Sequence, residues 1–119
     1  MSSREVTHLL HRAIEDNVRA TCGDLIGECI VVGSGRPSPA LFVEPMPGVD
    51  HDKLQREILR KTQPFHSRRY LHERITRKEL VIIVEPESLP RTTTKGNIRR
   101  RAVEDKYKTR LDAIYMSLN

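Results

Sequence analysis

Leu89-Pro90-Arg91-Thr92-Thr93-Thr94-Lys95-Gly96-Asn97-Ile98-Arg99-Arg100-Arg101 stands between an apolar run and a helical repeat, and its reading decides the fold. The three threonines supply hydroxyls, and Gly96 lets the main chain approach a ligand closely. Lys95 brings a compact, mobile positive charge suited to phosphate or carboxylate oxygens. Such a loop can hold an anion. The same residues would also serve as a solvated turn before a helix capped by Asn97. The spaced glycines and the Gly-Lys-Ser/Thr ending of a phosphate-binding P-loop are missing.

Upstream, Leu80-Val81-Ile82-Ile83-Val84 is nearly continuously apolar and predicts a central strand, ended by Glu85-Pro86-Glu87-Ser88. Downstream, Ile98, Ala102, Val103, Tyr107, Leu111, Ile114 and Leu118 predict one final helix. Cations are disfavoured at a helix N-terminus, so its opening arginines answer an anion, acidic neighbours or a partner.

The chain before this unit follows the same logic. Val6, Leu9, Leu10, Ala13, Ile14 and Val18 recur at helical spacing and predict a helix from about Glu5 to Ala20, ended by Gly23 and Asp24. Leu25–Val32 and Ala40–Val43 read as antiparallel strands around the turn Gly33-Ser34-Gly35-Arg36-Pro37-Ser38-Pro39. Gly33-Ser34-Gly35 lacks the third glycine and following helix of a nucleotide loop. Within this turn Arg36 is the candidate anion contact. Asp50 or Asp52 caps a second helix to about Thr62, with Leu54, Ile58 and Leu59 inward and Pro64 as its stop. Residues 65–78 mix arginines with Tyr70, Leu71 and Ile75, which suits a charged connector or a nucleic-acid surface. The expectation is a small α+β domain (α/β in its alternation) with a β-hairpin, a central three-stranded sheet and flanking helices.

A chain of 119 residues forms one modest core and is short for an ATP-using enzyme with its own closed pocket. Its 21 basic and 16 acidic residues leave a net charge of +5, which favours anionic partners, nucleic acid among them. Cys22 and Cys29 form no Cys-x-x-Cys pair and read as free, sheltered thiols of a reducing compartment. His8 and His11 would need further ligands to bind a metal, and none is expected. The N-terminal residues lack a signal-peptide core and no segment reaches membrane-spanning length, so a soluble, cytoplasmic protein without membrane contact is expected.

Three segments carry a family likeness: Cys29–Pro37 with Pro39–Glu44, then Arg74-Ile75, then Leu89–Ile98 with Arg99-Arg100. In their order and spacing the chain resembles the small C-terminal domain of adenylate-forming (AMP-binding) enzymes. These include acyl-CoA synthetases, peptide-synthetase adenylation domains and, most similar, fungal synthetase-like carboxylate reductases. The resemblance implies that residues 1–119 are one such domain. It implies that Lys95 is the catalytic lysine, contacting the substrate carboxylate and an ATP phosphate. Thr92, Thr93, Thr94 and Gly96 would shape the loop around the ligand. Arg36 would lie on the hairpin surface turned to a pantetheine thiol of a carrier protein or coenzyme A. Most members place the lysine after a glycine, whereas the order here is Lys95-Gly96, as is frequent in the reductase-like branch. In the commoner register the lysine position falls on Gly96 and the domain is catalytically defective.

The implied partner is a large N-terminal adenylation domain, in cis or in trans, holding the ATP, the Mg2+ and the acid. The isolated chain is therefore expected to be inactive. Two other readings stay open: a stand-alone regulatory or carrier-protein-docking module, and a small basic nucleic-acid-binding protein with salt-dependent affinity.

Overall fold

A computed structural model describes residues 3–33, 39–66, 75, 78–85, 88–89 and 100–117. Helix α1 spans Ser3–Cys22. Its buried residues His11, Ile14, Glu15, Val18 and Cys22 recur every three or four positions, the spacing that makes one inward face. The side chains before His11 lie outside the description. The helix ends at Gly23, where a Cβ would stand 2.5 Å from the Arg19 carbonyl oxygen, so only glycine fits without a shift.

Strand β1, Ile26–Val32, pairs antiparallel with β2, Ala40–Pro45, with Ile30 opposite Phe42 and Val31 opposite Leu41. This is the expected hairpin. Met46-Pro47-Gly48-Val49 then reverses the chain, the Val49 N–H donating to the Met46 carbonyl at 3.2 Å. Pro47 presets the first central position of this turn, and Gly48 takes the positive φ of 83° at the second.

Helix α2 spans His51–His66. Asp50 is its cap, accepting the Lys53 N–H at 3.0 Å, and that hydrogen bond holds the Asp50 carboxyl below its usual range. Pro64 does not stop this helix. It lies in the last turn, where its missing N–H removes a single intrahelical bond.

A 3-10 turn at Lys78–Leu80 leads into β3, Val81–Ile83, which runs parallel to β2 with Leu41 opposite Val81. Parallel neighbours require a crossover, and α2 lies within it. The strand order β1-β2-β3 makes β2 the centre and β3 an edge, contrary to the expectation for residues 80–84. The apolar run there reflects burial instead of a central place: Val81, Ile82 and Val84 are buried. The Val81 carbonyl is also covered, accepting the Gln55 amide at 2.7 Å.

The single final helix is two: α3, Arg100–Lys106, and α4, Lys108–Ser117. They meet at Tyr107, whose ring lies 4.8 Å from that of Phe42. The Tyr107 N–H still bonds the Val103 carbonyl, and the Leu111 N–H bonds that of Tyr107, so the interruption is one residue wide. Asn97, Ile98 and Leu118 lie outside the described residues. So does most of 67–77, where Ile75 alone is described, and it is buried.

Strand alternation sorts the layers. Cys29 Sγ lies 3.9 Å from the Glu15 carbonyl, so α1 covers the face carrying Cys29, Val31, Leu41 and Val43. Helix α2 packs on α1 and on β3. The opposite face carries Glu28, Ile30, Phe42 and Glu44, and Phe42 meets Tyr107 at the α3–α4 junction. Every residue of β2 is buried as a result. Phe42 is fully enclosed between these layers. Phe42→Ala should therefore cost about 3–5 kcal/mol of stability. Urea unfolding would register this as a lowered midpoint at unchanged slope.

Candidate functional site

Among the described residues the outer edge of β1 has no neighbouring strand, and its main-chain groups at Cys29 and Val31 need other partners. Side chains from α1, β1 and α3 supply them. Glu15 Oε2 accepts the Val31 N–H at 2.7 Å. The same oxygen accepts Arg100 Nη2 at 2.6 Å, while Arg100 Nε donates to the Val31 carbonyl at 2.8 Å. Two residues earlier, Arg19 Nη2 donates to the Cys29 carbonyl at 3.2 Å and to Glu28 Oε1 at 2.8 Å. Glu28 Oε1 in turn accepts the Cys29 N–H at 3.0 Å. One carboxylate–guanidinium pair thus completes each outward-facing residue of the edge.

These pairs differ in burial. The side chains of Glu15 and Arg100 are 8 % and 20 % exposed, those of Glu28 and Arg19 33 % and 46 %. Burial works against the Arg19 charge, yet the hydrogen bond to Glu28 and the nearby acidic groups outweigh it and hold the guanidinium above its ordinary range.

A cleft of about 440 Å³ opens here, lined by Arg12, Glu15, Asp16, Arg19, Glu28, Cys29, Ile30 and Arg100. Its three guanidiniums face three carboxylates, so these residues give it no net positive charge with which to gather anions. Cys29 is no nucleophile either: burial pushes its thiol up to about 12, against the opposing pull of Arg19. Among the described residues no group of three or more His, Cys, Asp or Glu could hold a metal ion, and no helix is long and apolar enough to cross a membrane.

Beyond the cleft, two contacts hold the chain just before residues 90–99. The Leu89 N–H donates to buried Glu44 Oε2 at 2.9 Å, and Lys106 Nζ donates to the Ser88 carbonyl at 2.7 Å. A sequence model described as the AMP-binding enzyme C-terminal domain matches residues 9–119. The chain belongs to this family of adenylate-forming enzymes.

The AMP-binding domain-containing enzyme iboA of Amanita muscaria (strain Koide BX008) is 45 % identical over 85 residues of this AMP-binding enzyme C-terminal domain. That match covers 68 % of the chain but only 16 % of the fungal enzyme, so the domain corresponds to a minor part of its relative. No solved structure matches it.

In this C-terminal domain the sequence-predicted site residues Arg36, Thr92, Thr93, Thr94, Lys95 and Gly96 lie outside the described residues. What is described is the chain on either side of residues 90–99, at Leu89 and Arg100. Of the three answers open for the helix-opening arginines, Arg100 takes the acidic neighbour. Glu15, Glu28 and Glu44 were missed by sequence reasoning. The available signal was a carboxylate within an inward stripe (Glu15) or at the end of an apolar strand (Glu44), since a charge at such a position requires a partner.

Glu15→Ala strands Arg100 and the Val31 N–H, and should destabilise the domain by about 3 kcal/mol. Arg19→Ala removes a half-exposed pair and should cost less than about 1 kcal/mol. Urea unfolding of both variants checks the ranking. The Cys29 thiol is raised from 9.0 in the unfolded chain to about 12 in the fold. Its contribution to stability should be complete below pH 9 and lost as pH rises toward 12. A pH series of unfolding midpoints for the parent and Cys29→Ala would isolate that loss.

Proposed function

We propose that this chain works as the C-terminal subdomain of an adenylate-forming enzyme and supplies Lys95 to ATP-dependent activation of a carboxylic acid. The family match through residues 9–119 carries the reading, because it includes the whole of the Leu89–Arg101 stretch. Residues 1–119 form one domain on this reading, placed against a large N-terminal domain in the same polypeptide or a separate one. Within the family, synthetase-like carboxylate reductases and acyl-CoA synthetases are the proposed branches.

The chemistry asks little of the small domain except a well-placed cation. Activating a carboxylate brings two anionic groups together, and the Lys95 ammonium would screen their repulsion and stabilise charge that develops at the transition state. Thr92, Thr93, Thr94 and Gly96 would line the approach. Mg2+ and ATP would be held by the large domain, whose groups would also select the acid. After adenylation the hairpin turn with Arg36 would face a pantetheine thiol, a change of face that needs the domain to turn as a body. The sandwiching of the sheet between helical layers is suited to such movement.

Pyrophosphate exchange tests the assignment. The isolated chain should show none, and exchange by the purified chain alone would defeat the reading. In the polypeptide or complex that contains the large domain, Lys95→Ala should lower exchange by about 100-fold or more, the range for loss of one transition-state charge contact. Unchanged exchange would move the register to Gly96 and leave a docking or regulatory role.

A further inference from the structure

We draw no further inference here: the strongest candidate, the cleft of about 440 Å³ between α1, the edge of β1 and α3, belongs to the site already described, where Glu15, Arg19, Glu28 and Arg100 are engaged with one another and with the main chain of that edge.

Discussion

Glu15 places one carboxylate oxygen between the Val31 N–H and the Arg100 guanidinium, and three parts of the fold meet at that atom. Helix α1 reaches it from one face of the sheet and α3 reaches it from the other, so the contact closes over the edge of β1. A buried carboxylate is tolerated only where its lone pairs are engaged. Arg100 would be similarly uncompensated without Glu15, so the two residues require each other. Once the pair is in place, the position of α3 relative to α1 is fixed at that point. The strand edge also loses the free N–H and carbonyl that would invite pairing with another chain.

The arrangement explains why a domain with a modest apolar fraction can organise several helices around only three strands. Phe42, Val31 and Leu41 provide non-directional burial at the centre, while the carboxylates of Glu15, Glu28 and Glu44 specify which neighbour lies where. Apolar packing alone would leave α3 free to slide along β1. The fork at Arg100 removes that freedom, because Nε and Nη2 must reach the Val31 carbonyl and Glu15 together. Exposed pairs such as Glu57–Arg60 on α2 do not set such a constraint, since solvent competes for both partners.

The elements with a clear period were legible in the sequence. The inward placement of Ile14 and Val18 on α1, the antiparallel pairing of β1 with β2 and the Asp50 cap all follow from spacing and capping chemistry. The place of Val81–Ile83 was not, because an apolar run reports burial on two faces and says nothing about which strand lies beside it. The crossover through α2 puts β3 at the edge, and that choice depends on packing between distant elements. Pro64 misled for a related reason. A proline loses one intrahelical bond, and in a terminal turn that loss is small enough for the helix to continue. The break at Tyr107 was not legible either, and it lies where the Tyr107 ring meets that of Phe42. Of the candidate site, Arg100 was legible only as a cation needing an answer, and its acidic partner lies 85 positions away in the chain.

The cleft beside β1 is lined by three arginines, two of which already have carboxylate partners. Arg19 and Arg100 are committed to carboxylates and main-chain carbonyls, and an incoming anion would have to break those contacts before gaining its own. The domain's net charge of +5 therefore cannot be assigned to this place. It must come from other basic residues, and the Arg91–Arg101 stretch is rich in them. Such a division is physically economical. Arginines paired in this way hold the edge of β1 without adding to the domain's attraction for anions. Pairing Arg19 and Arg100 internally leaves the net positive charge to residues outside this cleft.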